Sequence, residues 1–433
     1  MRILHTVESY LPARHGMSEF VRQVSERLAA KGHEVIVATS HDSRRKESRI
    51  AGVNVRGFNL RGKSAVGIWG DISGYQQFLM DLNPDVITNF AAQQWATDLV
   101  FPLLPFLKAK KVLVPNGFSA LGDEMFRDYF AAMRNLFSLY DACIFCSDEY
   151  RDIQFARECG VQNNAFIAVG AASEDYDVKR DTGFRARLGI PESDFLVLHM
   201  AGYLSQAKGQ LEAVRIFSNS KLKDATLLLS SPGFAESPLT SLKPREILKG
   251  FYHLLRGNGF RGFTFSAQLR GAIRWKNRAN QKVGRSIFTS SLSQEDKIQA
   301  FLNADLFLFP SWIECSPLVL YESIASGTPF LVTDVGNSAE IIRWTGGGRL
   351  LHGTRRKDRE GSVVADVVKG AELLTDVWKD EGGRRRMASC GQQAWRQHFQ
   401  WETITDRYEE LYLALVRGED IRGRFLPPPP AIA

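Results

Sequence analysis

D-L-F-L-F-P-S-W-I-E-C-S-P-L-V-L-Y-E-S-I-A-S-G-T-P-F-L-V-T-D, residues 305 to 334, reads as strand, turn, helix, strand. Asp305–Pro310 is a short apolar run of the buried-strand type. Ser316 suits an N-cap and Pro317 the first helical position. Leu318, Val319, Leu320, Ile324 and Ala325 make the helix apolar nearly all round, which predicts burial. Gly327 closes it as a left-handed cap, and Thr328–Thr333 is the next strand. Two carboxylates interrupt the run, Glu314 in the turn and Glu322 inside the helix. Helical side chains lean toward the N-terminus, so Glu322 leans toward the open N–H groups of Leu318 and Val319. Those N–H groups form a potential anion site. A carboxylate aimed near an anion needs hydroxyl partners, and a phosphate attached to a sugar supplies both. The alternative is a surface helix with one exposed Glu, but this helix has almost no polar face to expose.

Upstream, Phe195–Ala201 reads as a strand, G-Y-L-S-Q-A-K-G (202–209) as a loop and Gln210–Phe217 as a helix. Lys208 at that helix's N-terminus opposes the helix dipole unless an anion is bound; an exposed structural lysine is the other reading. Ala225–Ser230 and Ile287–Ser290 are further strands, and the loop Ser291–Ser293 precedes a helix from Gln294 to Ala304. At the other end, residues 2–8 form a strand, and Ser18 caps a helix with Phe20, Val21, Val24 and Leu28 on one face. Glu34–Thr39 then completes a βαβ opening of a doubly wound sheet. Further strands are expected at Val53–Phe58, Asp85–Thr88, Lys111–Val114 and Asp141–Ser147. The boundary is placed near 177–190, giving domains 1–180 and 190–400, with a terminal helix at about 403–418. Pro427–Pro430 reads as a stiff, disordered tail within 424–433.

Glu314 and Glu322 have E-x7-E spacing, followed by A-S-G-T-P (325–329) and D-V-G-N-S-A-E (334–340). This combination resembles the retaining nucleotide-sugar glycosyltransferases of the GT-B fold, glycosyl transferases group 1. The resemblance is close from about 195 to 345 and looser before 180. It implies an α/β fold of two Rossmann-like, doubly wound domains facing a cleft, with a C-terminal helix crossing back to the first. It implies transfer of a hexose-type sugar from a nucleoside diphosphate, with retention, to a glycan, glycolipid or other acceptor, without metal or cofactor. By the resemblance, Lys208 and Glu314 carry the chemistry. Gly16, Asn116, Tyr203, Ser291, Ser316, Pro317, Leu318, Val319 and Glu322 bind substrate: Glu322 the ribose, the helix start and Lys208 the diphosphate. Tyr203 stands where the family has an arginine and keeps a donor without the charge. Asn116, in the turn pair Asn116-Gly117, stands where the family has a histidine and cannot protonate; ordinary turn chemistry explains the pair equally well. These two changes motivate a rival reading, a non-catalytic nucleotide-sugar-binding scaffold.

The 433 residues suffice for two or three domains, and 44% hydrophobic with 24% charged residues is ordinary for a globular protein. Five cysteines show no framework; Cys143 and Cys146 lie in an apolar run and read as core thiols. No eighteen-residue apolar span or signal-peptide pattern is evident, which fits a reducing, cytoplasmic protein. The net charge is +7. Between Lys243 and Arg285 four Lys and seven Arg face the single Glu246, in a basic insertion at about 235–285. That block, with Phe251, Tyr252, Phe260, Phe263, Phe265 and Trp275 among its cations, fits peripheral contact with an anionic membrane at its inner face. A solvated loop without a partner fits as well, and nucleic acid is the less favoured partner because no recognised nucleic-acid fold accompanies the charge.

Overall fold

The computed structural model describes residues 1–234, 259–356 and 360–431. The chain forms two compact units. The first comprises Met1–Ala172, Cys315–Leu318 and Gln397–Pro429; the second comprises Ser173–Glu314, Val319–Arg396 and Pro430–Ala433.

The first unit is built on β1 (Arg2–Thr6), β2 (Glu34–Ser40), β3 (Arg49–Ile50), β4 (Val53–Phe58), β5 (Leu60–Lys63), β6 (Gly67–Gly70), β7 (Val86–Phe90), β8 (Lys110–Val114), β9 (Ala142–Phe145) and β10 (Asn164–Phe166). Eight of them form one sheet in the order β10-β9-β8-β7-β1-β2-β4-β3, while β5 and β6 pair as a hairpin. The large sheet is parallel apart from the short β3, which runs antiparallel to β4. Parallel strands are covered on both faces and so read as continuous apolar runs. Leu4, Ile87, Leu113 and Phe145 accordingly lie in one core with Tyr75, Trp95, Phe118, Phe130 and Phe155. Cys143 and Cys146 are buried free thiols, and burial pushes both well above the usual thiol range.

Gly16–Ala30 follows β1 as a helix, but its N-cap is His15 rather than Ser18. Ser18 sits one turn in and closes a capping box, its hydroxyl accepting from the His15 N–H at 2.9 Å. The serine thus serves the cap from inside the helix, which shifts the start upstream. Trp401–Val416, the terminal helix, belongs to this first unit and packs on Gly16–Ala30. Arg27 pairs with Glu402 at 2.8 Å, and Lys31 with Asp406 and Glu409, each at 2.7 Å.

The second unit holds β11 (Phe195–Met200), β12 (Ala225–Ser230), β13 (Arg285–Ser290), β14 (Leu306–Phe309), β15 (Phe330–Thr333) and β16 (Gly348–Leu351). They form a six-stranded parallel sheet in the order β13-β12-β11-β14-β15-β16. Its core joins Val197, Leu227, Leu229, Leu306, Leu308 and Leu331 to Phe265, Leu269 and Ile273 of the helix Gly259–Gln281. The basic insertion is therefore helical and partly built into this core from 259 onward, while its portion 235–258 lies outside the described residues. The tail, expected to be disordered, is described to Ala431. Arg407 donates to the Leu426 carbonyl at 2.9 Å, and the Ala431 N–H donates to the Arg343 carbonyl at 2.7 Å.

Candidate active site

In the second sheet the strand order reverses between β11 and β14. Loops leaving the carboxyl ends of two such strands diverge to opposite faces and open a crevice, the usual place for a ligand in an open α/β sheet. Tyr203–Gly209 leaves β11 and Ser311–Glu314 leaves β14, so both motifs singled out in the sequence flank this one point.

The two loops are laced together. The Trp312 N–H donates to the Ala207 carbonyl at 2.8 Å, and the Ser311 hydroxyl oxygen lies 3.0 Å from the same oxygen. Gly209 has φ +70°, and a Cβ there would lie 2.0 Å from the Pro310 carbonyl oxygen. Only glycine allows that approach. Gln206–Lys208 makes a single 3-10 turn before Gly209, and Gln210–Asn219 is the helix that follows.

Lys208 Nζ reaches Glu314 Oε1 at 2.7 Å, with the two side chains only 18% and 12% exposed. The Ser311 hydroxyl donates to the same carboxylate oxygen at 2.6 Å. Lys208, whose place beside a helix N-terminus called for an anion, thus has Glu314 beside it. Tyr203 is 57% exposed, and Lys208 Nζ lies 5.5 Å from its ring centroid, within cation–π range. Beneath them His199 on β11 is fully buried, with Nδ1 2.8 Å from the Leu308 carbonyl. Burial, with the nearby Lys208 charge adding to it, pushes its pKa down to about 4, so the ring is neutral near pH 7. Nothing in the local sequence of an apolar strand marks that histidine.

The helix after β14 spans Leu318–Ala325, so Pro317, expected as its first residue, lies just outside it. Proline has no N–H to satisfy, and Ser316 before it is held out of helical backbone, so the two residues form the entry to the helix. Leu318 and Val319 provide the first open N–H groups. Glu322 is not surface-exposed: its side chain is 12% exposed and pairs with Lys297 at 2.5 Å through Oε1. Its other oxygen is buried with no hydrogen-bond partner among the described residues. Lys297 belongs to the helix Gln294–Asn303 and was not singled out by sequence reasoning. Its partner lies 25 residues away, and only the packing of two helices joins them. Ser291 is exposed after the edge strand β13, two strands from the switch point, and is not brought to the Lys208–Glu314 pair.

Gly16 and Asn116 belong to the first unit. Gly16 opens the helix after β1. Asn116 (φ 56°), Gly117 (φ 89°) and Phe118 (φ 44°) form a left-handed turn after β8. Asp152, buried and overlooked in the sequence, accepts the Gly117 N–H at 2.7 Å, and Arg151 donates to the Gly117 carbonyl at 2.7 Å. Among the described residues no three His, Cys, Asp or Glu side chains come together as a metal-binding group, and no helix is long and apolar enough to cross a membrane.

The Glycosyl transferases group 1 family matches residues 276–377, and Glycosyltransferase Family 4 matches residues 14–164. Glycogen synthase of Mycobacterium tuberculosis is 26% identical over 132 residues, 30% of this chain and 29% of that protein. N-acetyl-alpha-D-glucosaminyl L-malate synthase of Bacillus anthracis is 29% identical over 129 residues, 30% of this chain and 31% of that protein. The chain thus spans under a third of the length of the curated relatives it matches. Sucrose-phosphate synthase of Thermosynechococcus elongatus superposes with a TM-score of 0.71 at 16% identity, covering 96% of this chain and 99% of that one. Anabaena HepE in complex with UDP-glucose gives 0.69 at 15%, covering 96% and 100%. At these identities the structural likeness is one of fold, the two-domain GT-B architecture. One family match thus falls on each unit, and both families are glycosyltransferases, so the chain is similar to the group 1 glycosyltransferases.

Proposed function

We propose that this protein transfers a hexose-type sugar from a nucleoside-diphosphate sugar to a hydroxyl acceptor, with retention and without a metal. The observation that carries this reading is the Lys208–Glu314 pair at the switch point of the second sheet, beside the helix entry at Pro317–Val319. In it, the donor's diphosphate takes the Lys208 ammonium and the open N–H groups of Leu318 and Val319, which stabilise the charge that builds on the leaving group. Glu322 accepts from ribose hydroxyls. Glu314, released from Lys208, accepts from hydroxyls of the transferred sugar and orients its anomeric carbon. HepE in complex with UDP and with UDP-glucose lends support from the same fold. The test is a donor screen on purified protein, reading free nucleoside diphosphate and glycosylated product by mass spectrometry. Release of nucleoside diphosphate with a product of retained anomeric configuration supports the proposal. Calorimetric binding of a nucleoside diphosphate without turnover of any donor favours the scaffold reading.

A second reading concerns attachment. On the helix Gly259–Gln281 one face is buried through Phe265, Leu269 and Ile273, while Trp275 on the other is 69% exposed. Arg274, Arg278 and Lys282 near it are exposed and make no hydrogen bond or ion pair among the described residues. A cationic face with a projecting indole suits an anionic bilayer surface. Flotation with phosphatidylglycerol vesicles tests it: a W275A/R274A/R278A variant that floats like the parent refutes it.

A further inference from the structure

Trp312 stands second in the loop Ser311–Glu314 and is only 8% exposed. It is held from three directions. Its backbone N–H is committed to the Ala207 carbonyl, in the loop after β11. Two further strands, β17 (Gly353–Arg355) and β18 (Val363–Ala365), pair antiparallel after β16. From these, the Val363 N–H donates to the Trp312 carbonyl at 2.9 Å. The Arg356 guanidinium lies 4.8 Å from the centre of the Trp312 ring, within cation–π range. The third direction is the helix Gln210–Asn219, where Glu212 meets the indole N–H.

Glu212 is costly where it stands. A carboxylate in the first turn of a helix suits the helix dipole, and it can do so without leaving water. Glu212 is instead 4% exposed. Burial pushes its pKa up from the ordinary glutamate value, and its own backbone N–H, the Arg215 charge and the Trp312 indole bring it only part of the way back. Glu212 Oε2 and Trp312 Nε1 are both buried, and neither has another hydrogen-bond partner among the described residues. The ionised carboxylate only accepts and the indole nitrogen only donates. A buried polar atom without its complement loses the full cost of its dehydration. Each of these two atoms therefore depends on the other, and changing either leaves its mate unpaired.

The consequence falls on Glu314. Ser311 precedes Trp312, and its hydroxyl donates to Glu314 Oε1 at 2.6 Å. The Ser311 carbonyl accepts from the Thr333 hydroxyl. A loop this short, tied on both sides of the tryptophan, has no slack in which to absorb a tilt of so large a ring. Such a tilt passes to Ser311 and Ile313, and from them to the Glu314 carboxylate.

We propose that Glu212 is a positioning residue for sugar transfer: its carboxylate holds the Trp312 indole and thereby sets the loop that presents Glu314. This deepens the transferase reading above and rests on it. The contact that Glu212 makes is with Trp312, so its effect belongs in turnover and not in donor affinity.

The test uses the intact chain and a readout that needs no turnover. In E212Q an amide oxygen still accepts from the indole, whereas in E212L an apolar side chain fills the space with no acceptor. In nitrogen–proton correlation spectra the Trp312 indole peak is identified by its absence from W312F. It moves upfield in E212L, as the proton of a lost hydrogen bond does, and stays near its parent position in E212Q, while thermal melts show the variants folded. Initial rates with the donor found by the screen then give kcat about tenfold or more below the parent's in E212L and in W312F, since a misplacement of about 1 Å can cost roughly 10²-fold. Donor KM stays near the parent's, and E212Q keeps most of the parent's kcat. The E212L/W312F double variant is no slower than the slower single one, as two residues acting as a unit require. W312F, which keeps an aromatic ring, carries the kinetic test by itself if E212L does not fold. Parent-like kcat in folded E212L or in W312F, losses that add in the double variant, or an indole peak indifferent to E212L overturns the proposal. Failure of the transferase reading alone is recognised separately, as an indole peak that follows Glu212 in this way in a protein that turns over no donor.

Discussion

Lys208 Nζ lies 2.7 Å from Glu314 Oε1, and the two residues leave adjacent strands at the point where the second sheet reverses its order. Each neutralises the other. In the proposed reaction, a diphosphate at Lys208 would compete with Glu314 and free that carboxylate for a sugar hydroxyl, so donor binding and arming of the site would be one event.

The first prediction follows from that pairing. K208A and E314A each lower turnover by roughly 10²-fold, the usual effect of removing one preorganised electrostatic contact. K208A also leaves a largely buried carboxylate without its cation and lowers stability by roughly 2 kcal/mol, whereas the K208A/E314A pair recovers part of that loss. Denaturant titrations of the three variants measure it; equal losses in the single and double variants contradict the coupling.

A second prediction concerns Glu322 and Lys297. E322Q weakens the ion pair and the proposed ribose contact together, and raises donor KM by about tenfold with a smaller effect on kcat. K297A leaves the Glu322 carboxylate without its cation and raises donor KM in the same direction. Initial rates across donor concentration give both values, and a pure kcat effect in either variant excludes the assigned role.

Gly209 supplies a third. Alanine there has to adopt φ +70° and place its Cβ 2.0 Å from the Pro310 oxygen, so the loops separate. The expected cost is roughly 3 kcal/mol. That is a fall of roughly 5–10 °C in Tm, read by calorimetry.

The fourth is a pH dependence. Burial pushes His5 down to about 3 and His199 down to about 4. Below pH 6.5 the unfolded chain takes up protons on these rings and the folded protein does not, so their contribution to stability is lost as pH falls. At pH 5 the loss is about 2 kcal/mol for each. Unfolding free energies at pH 7, 6 and 5 measure the slope, and H199Q removes about 2 kcal/mol of the loss between pH 7 and pH 5.

Much of this architecture was legible because parallel strands bury both faces. Runs such as Phe195–Met200, Ala225–Ser230 and Leu306–Phe309 announce themselves by unbroken apolarity. Lys208, Glu314 and Glu322 stood out because carboxylates and a lysine beside helix starts need a reason in the local physics, and the structure pairs the first two with each other. What escaped were relationships fixed by tertiary packing. Lys297 looks like any surface lysine until two helices bring it to Glu322. Glu212 looks like any first-turn carboxylate until packing sets it against the Trp312 indole. His15 took the cap from Ser18 because both members of a capping box are plausible starts until the backbone is seen.

The terminal helix has one more consequence. His5, in the first strand, has Nδ1 2.8 Å from the Ser25 hydroxyl and Nε2 3.2 Å from the hydroxyl of Tyr412, 407 residues later. Tyr412 also lies 2.6 Å from Thr88 Oγ1. The seam along the first strand is therefore closed by a helix that follows the whole second unit in the chain, so removing Trp401–Val416 leaves a wet histidine where the core of the first unit belongs.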